Sequence, residues 1–416
     1  MADTRLAPAT RVSALWMSLL ALAQMGVIMA MTVGNQILLP SHVARIDPAH
    51  KEASLAVVFA VAAVCTIVAN PLFGALSDRT RTRMGRRRPW IAGGALVCAA
   101  SLVFLSRQDS LAGLVVGWAV AQLSFTAALA TAIATVPDQV PVHQRGRVSA
   151  LAGVGQLGGP LLGGVMVTVV ATGSRAGFVA MAALVLLLVL PFSLFTREPA
   201  GDAGAPPPLE ARAFLRGFWV SPRRHPDFAW AWLSRFLITL TLAMAIGYLQ
   251  YFLRDAVGYE SLFPGSTVEE GVVVLVAVFT LSSVVPTLLA GWLSDRSGNR
   301  RPAVFAGGLT MAAAGLVLTF LTSWQAALAA SVLLGAGYGM FAAVDQAMVT
   351  QLLPADADRA KDLGIVSLAN SASGTLGPVI AAPLVTSAGG YPLMYGVAAA
   401  FAAAGACFIW RIRGVR

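Results

Sequence analysis

The chain is a succession of long apolar runs, each of 18 residues or more, separated by short polar or basic segments. The runs lie near 13–39, 52–76, 89–106, 110–136, 148–172, 176–195, 228–253, 268–292, 302–321, 324–352, 363–386 and 391–410. Wound as a helix at about 1.5 Å per residue, a run of this length crosses a hydrocarbon layer of ~30 Å. Backbone placed in hydrocarbon has to satisfy its own hydrogen bonds, which leaves helices or a closed barrel. The period-2 alternation of barrel strands is not present. The expected fold class is therefore an all-α membrane protein of twelve transmembrane helices. Composition excludes the soluble alternative, because charged residues make up only 12% of the 416, against roughly 25% in soluble domains.

The net charge of +10 does not mark a nucleic-acid binder, since the basic residues sit in short loops between apolar runs. Their distribution sets orientation. In alternate loops, 23 of the 29 Lys and Arg fall on one side, with Arg45, Lys51, Arg107, Arg175 and Arg254 on the other and Arg235 inside a run. Both termini are thus expected in the cytoplasm of a cell membrane, and the first apolar run is expected to stay as a span, being too long for a signal peptide. The three cysteines lie inside apolar runs without metal-ligand spacing. His42, His50, His143 and His225 read as loop residues, and no metal, nucleotide or triad motif is present. No cofactor and no enzymatic activity are expected.

An internal repeat organises the chain. Gly74-Ala-Leu-Ser-Asp78-Arg79 recurs 217 residues later as Gly291-Trp-Leu-Ser-Asp295-Arg296. Gly155-xxx-Gly159-Pro160 recurs 218 residues later as Ser373-xxx-Gly377-Pro378. Two markers sharing nearly one offset divide the chain into two similar six-helix halves, 1–195 and 228–416. They are joined by a Pro-rich, charged cytoplasmic linker at 196–227, within which 209–220 has the pattern of a short amphipathic surface helix. Parallel repeats of this kind typify one class of secondary transporters.

Segment 74–88, GALSDRTRTRMGRRR, resembles the loop signature of the major facilitator superfamily, and GWLSDRSGNRR at 291–301 looks like its second copy. Asp138-(x)6-Arg145 is similar to a further element of the same superfamily. The stretch ANPLFGALSDRTRTRMGRRRPWI at 69–91 looks like the glycoside–pentoside–hexuronide and sucrose-type symporter branch. The resemblance covers essentially the whole chain. It implies two pseudo-symmetric bundles, alternating access, a monomer, and a solute cavity lined by the first, fourth, seventh and tenth helices. Melibiose-type members hold sodium with two acidic residues four apart in the second helix. Here those positions read Thr66 and Asn70, which supply no charge, so the resemblance with this departure favours a proton as the coupling ion. The glycines of the fifth run also match a motif of drug/proton antiporters, but residues 110–136 lack the Arg those proteins carry.

Candidate residues follow from this frame. Gly74, Asp78 and Arg79, with Gly291, Asp295 and Arg296, are read as a cytoplasmic latch that breaks when the halves rock, or alternatively as topology anchors. Asp138 and Arg145 are read as joining that network. Arg83, Arg86, Arg87 and Arg88 are read as setting topology and touching anionic lipid heads. Arg235 and Asp345 lie about seven to nine residues inside the seventh and tenth runs. Charges within spans default to functional hypotheses, and the two are read as an ion pair that proton or solute binding rearranges. Polar residues in presumed cavity helices are Gln24, Asn35, Gln36, Gln122, Thr126, Tyr248, Gln250, Tyr251 and Gln346, each a solute contact or an interhelical hydrogen bond. Gly155, Gly159, Pro160, Gly163, Gly377 and Pro378 are read as close packing between the halves.

The expected function is secondary active transport of a small solute in the lipid bilayer, with proton-coupled uptake of a sugar or glycoside-like compound as the leading reading. Proton-coupled efflux of a small amphipathic compound is the alternative within transport. A non-transporting receptor or scaffold is the alternative outside it, and would not need gate markers in both halves.

Overall fold

The structure, a computed structural model, describes residues 11–197, 226–351 and 359–412. The expected linker, with its surface helix, falls almost wholly outside the described residues. Among the described residues the only β pairing is an isolated bridge between Thr82 and Gly85. The main helices are α1 (Ala14–Val33), α2 (Lys51–Arg79), α3 (Arg88–Ser106), α4 (Leu111–Gln139), α5 (Val142–Val165), α6 (Ser174–Phe195), α7 (Pro226–Gly247), α8 (Val268–Ser297), α9 (Arg301–Phe320), α10 (Trp324–Gln351), α11 (Arg359–Thr386) and α12 (Gly390–Phe408).

Eleven helices among the described residues are long and apolar enough to span a membrane, and α11 adds a shorter apolar stretch, Ala372–Thr386. The chain is a multi-pass all-α membrane protein. Apolar side chains such as Val154, Leu187, Leu281 and Leu288 are exposed on the helix surfaces, as expected where the solvent is lipid and helices are apolar all round. Local chemistry sets the helix starts. The Ser13 and Ser110 hydroxyls accept from the amides of Trp16 and Gly113, both at 3.2 Å. Proline stands in the first turn of α3 and of α9, where a missing N–H costs nothing.

Residues 1–49 and 61–207 form one compact unit, and residues 50–60 with 208–416 form another. Within the first unit α1 packs on α5 and α6, and α3 packs on α4 and α6. Within the second, α7 packs on α11 and α12, and α9 packs on α10 and α12. The pairings repeat at an offset of six helices, so the sequence repeat is also a repeat of packing. In the second unit the core gathers Ile238, Met311, Phe341 and Ala402 from four helices.

Glycine is what lets two of these pairs approach. A Cβ on Gly159 would lie 3.1 Å from both Met25 Cγ and the Met25 carbonyl oxygen of α1, and one on Gly155 would lie 3.2 Å from the Ala21 carbonyl oxygen. On Gly163 it would lie 2.8 Å from Val33 Cγ2. In the second unit, a Cβ on Gly377 would lie 3.1 Å from the Met244 amide of α7, and one on Gly247 would lie 3.4 Å from the Pro378 ring. Gly155, Gly159, Gly163 and Gly377 thus each make a close approach inside their own unit. The glycines pack α5 on α1 and α11 on α7, inside each unit, with Pro160 and Pro378 next in line on the same helices. A missing Cβ draws in whichever backbone lies nearest, and spacing along one helix does not name that neighbour.

Candidate functional site

Arg235 on α7 and Asp345 on α10 meet. Ser234 and Thr241 donate to the carbonyls of Gly405 and Ala398 at 2.6 and 2.9 Å. These bonds fix the rotation of α7 against α12 and turn Arg235 to α10. There its Nη1 donates to Asp345 Oδ2 in an ion pair whose side chains are 9% and 5% exposed. The flanking turns supply Ala231, Ile238, Phe341 and Val344 to one apolar cluster. Asp345 Oδ1 is buried with no hydrogen-bond partner among the described residues. An orphaned acceptor of this kind costs about 1–3 kcal/mol, more for a charged group. A proton or a ligand hydroxyl delivered to Oδ1 would remove that cost.

The first unit holds a quieter counterpart on α4. Gln122 donates to Thr66 Oγ1 at 3.3 Å, while its own Oε1 is buried without a partner among the described residues. Thr66 in turn donates to the Ala62 carbonyl at 3.0 Å, and Thr126 donates to the Gln122 carbonyl at 2.8 Å. Gln24 is buried on α1. Asn35 and Gln36 stand in a π-helical turn, Gly34–Leu38, that carries α1 on into a further helical segment, Leu39–Ile46. Such turns recur at functional sites because the extra residue shifts side-chain register. Gly34 leaves room for the Trp118 ring of α4, since a Cβ there would lie 2.9 Å from Trp118 Cζ3. The side chain of Gln346 lies outside what is described.

At the α2–α3 loop, Arg87 is the hub. It is 5% exposed, pairs with Asp78 at 2.5 Å and Asp138 at 2.9 Å, and donates to Ser77 Oγ. Arg86 adds a second bond to Asp138 at 2.7 Å. The two acids of the motifs are thus joined by Arg87. Arg79 donates to the Ala75 carbonyl at 3.0 Å. Arg145 donates to the Val140 and Pro137 carbonyls, each at 3.1 Å, closing the end of α4. The sequence reading gave Arg86 and Arg87 to topology. The signal that separates them was present, because both belong to the Gly-Arg-Arg part of the same motif. In the second copy Asp295 is exposed, and Arg296 lies over the Trp292 ring at 5.4 Å. Residues 352–358, the counterpart of the loop after Asp138, lie outside the described residues. Gly74 and Gly291 each have open space where a Cβ would stand.

Tyr248, Gln250 and Tyr251 are buried at the far end of α7 and tie it to its neighbours. Tyr248 donates to the carbonyls of Glu52 and Pro378 at 3.1 and 3.2 Å, and Gln250 donates to Glu269 Oε1 at 2.9 Å. His42 corrects its assignment to a loop. It is wholly buried in the continuation of α1, within 2.9 Å of Ser174 Oγ and 2.8 Å of the Gln108 carbonyl. Beside it Arg45 and Arg175 both reach Asp109 at 2.8 Å. Their hydrogen bonds, Arg45 first, hold the Asp109 carboxyl below its ordinary pKa.

The profile of the family described as MFS/sugar transport protein matches residues 19–412. The chain is 24% identical over 254 residues to the inner membrane symporter YicJ of Escherichia coli (strain K12), a match covering 57% of this chain and 52% of that protein. The alignment thus spans about half the length of the curated relative. Among solved structures, a point mutant of the nucleoside transporter NupG superposes with a TM-score of 0.74 at 14% identity, covering 96% of this chain and 99% of that one. A bacterial homologue of the human lysosomal transporter Spinster, in an inward-facing and unoccupied conformation, gives 0.69 at 17% identity over 96% of each chain.

Proposed function

The chain belongs to the MFS/sugar transport protein family, and on that premise we propose that it is a secondary active transporter. It takes up a sugar or glycoside-like solute across the cell membrane by alternating access, with a proton as the coupling ion and both termini in the cytoplasm. The observation that carries this reading is the buried Arg235–Asp345 pair with its unpartnered Oδ1. A buried ion pair is weak evidence for stability but a sound basis for a switch. Protonation of Asp345 discharges the carboxylate and loosens its hold on Arg235, whose guanidinium then has donors for a solute oxygen. Loss of the proton restores the pair and expels the solute. Thr66 is already engaged by Gln122 and Ala62 and brings no negative charge, which supports a proton over sodium. The similarity to YicJ, a symporter, supports coupled movement in one direction.

The network of Asp78, Arg87 and Asp138 serves as the latch on the cytoplasmic side, with the positive-inside distribution of the loops as support for that placement. The two halves of the sequence, 1–195 and 228–416, act as the moving bodies, and the chain works as a monomer. The test is counterflow in proteoliposomes against a panel of sugars, glycosides, nucleosides, organic acids and amphipathic drugs, with and without sodium and across pH. Exchange of a sugar or glycoside independent of sodium is expected. Exchange of amphipathic drugs alone, or a strict sodium requirement, overturns the reading.

A further inference from the structure

Five Lys and Arg fall in the loops expected to face away from the cytoplasm. Three of them, Arg45, Arg107 and Arg175, gather at one end of the first unit, a concentration that the positive-inside rule does not account for. There an open groove of about 680 Å³ runs from the end of α3 along the outer face of α6. Its head is polar. Asp109 is taken by Arg45 and Arg175, each at 2.8 Å, which leaves that trio one net positive charge. Arg175 spends only Nη2 on Asp109, so its Nη1 and Nε have no partner among the described residues. Arg107 lines the same head and is exposed, and its guanidinium has no partner among the described residues. The first turn of α6 begins at Ser174 without a side-chain cap, so its free amides add positive potential at the same end.

The rest of the groove is apolar. Ala176, Val179, Ala180 and Ala183 line it at the i, i+3, i+4 and i+7 spacing of one helix face. Three methyl-sized side chains make this face a shallow trough, and Val179 is 48% exposed in it. Ala183 stands nine residues beyond Ser174, so the trough runs about 13 Å along the helix. That length passes from the headgroup layer into the acyl chains.

We propose that this groove binds an anionic phospholipid, its phosphate held by Arg107 and Arg175 and one acyl chain laid along the α6 trough. The site goes beyond the transport reading and holds whatever solute is carried. Two net positive charges at the head suit an anionic headgroup, whereas a zwitterionic one brings a cation that they repel. Asp109 does not repel the phosphate, because two guanidinium groups already neutralise it, and its bond to Nη2 aims Arg175. A soluble anion would use the head and leave the trough empty.

Native mass spectrometry of the full chain, delipidated in detergent and titrated with phosphatidylglycerol, reads the first bound lipid directly. Saturable binding of one phosphatidylglycerol is expected, with phosphatidylcholine of the same acyl chains weaker by about tenfold or more. Each guanidinium removed is expected to weaken the first lipid about fivefold, so Arg107→Gln combined with Arg175→Gln weakens it about 25-fold. Arg254→Gln, in the second unit, is the charge control and is expected to leave that binding unchanged. Ala183→Phe obstructs the trough with every charge in place, and is expected to weaken the lipid about tenfold, the worth of one or two displaced methylenes. Arg107 has no side-chain partner to lose, so Arg107→Gln keeps the fold, which melting without lipid checks; should the double variant not fold, Arg107→Gln and Ala183→Phe still decide. Excess inorganic phosphate is expected to leave the lipid bound. Equal binding of the two lipids, or wild-type binding by Arg107→Gln or by Ala183→Phe, overturns the proposal. Displacement of the lipid by inorganic phosphate gives the head to a soluble anion, and a dimer that Ala183→Phe dissociates gives the groove to a second copy; either result also overturns it.

Discussion

Removing one member of the Arg235–Asp345 pair strands the other. With side chains 9% and 5% exposed, neither charge has bulk water to fall back on. The expected cost is therefore that of an uncompensated buried charge, about 3–5 kcal/mol for Arg235→Met or for Asp345→Leu alone. In the double variant both charges are gone and the apolar cluster of Ile238, Phe341 and Val344 can close over the site. Replacing a buried pair in this way is close to neutral. Additive effects would put the double variant at about 6–10 kcal/mol, so the cycle separates the two cases by a wide margin. For a body of roughly 200 residues, about 2–4 °C of thermal midpoint corresponds to each kcal/mol. Each single variant should then melt about 6–20 °C below wild type, with the double within a few degrees of it. Thermal unfolding of purified protein in one fixed detergent reads this directly. A double variant that melts at the sum of the two losses refutes the paired arrangement and the switch built on it.

Arg87→Ala removes bonds to Asp78, Asp138 and Ser77 together, and is expected to lose about 1.5–3 kcal/mol and slow counterflow more than Arg145→Ala does, as measured by melting and initial rates. Gly159→Leu forces atoms into the Met25 backbone and should cost about 1–3 kcal/mol from overpacking. Gly158→Ala, with open space at its Cβ, should be neutral or gain up to about 1 kcal/mol from helix propensity, and the two melting curves decide between them. For Asp109, hydrogen bonds from Arg45 and Arg175 depress the folded pKa, so its contribution is present above the unfolded pKa and is lost as pH falls through the folded one. The melting difference between wild type and Asp109→Asn should accordingly be constant near neutrality and vanish in acid.

The sequence carried the architecture because apolar run length and a six-helix repeat are both one-dimensional signals. The spans expected at 89–106 and 302–321 became Arg88–Ser106 and Arg301–Phe320. The meeting of Arg235 with Asp345 was legible for a related reason: two charges in apolar runs at similar depth have few alternatives to each other. Partners set by three-dimensional neighbourhood were less accessible. The Gly-Arg-Arg motif sets Arg86 and Arg87 apart from Arg83, but it does not say which acids they reach. The glycines of α5 announced a close approach without naming α1. His42 read as a loop residue because the π turn at Gly34–Leu38 carries helix past the end of the apolar run, and no periodicity in the sequence signals such a turn. Lys51 and Asp255 are 204 residues apart and sit in segments that look like ordinary loop ends, so nothing in the sequence brings them together.

The central claim is that Asp345 carries the coupling proton. Uptake of the counterflow substrate into proteoliposomes, driven only by an inwardly directed pH gradient and compared between wild type and Asp345→Asn, tests it most directly. The expected result is accumulation above equilibrium by wild type and, in the variant, intact exchange at equilibrium with no response to the gradient. Accumulation by Asp345→Asn equal to wild type, or a wild type indifferent to the gradient, would contradict the account.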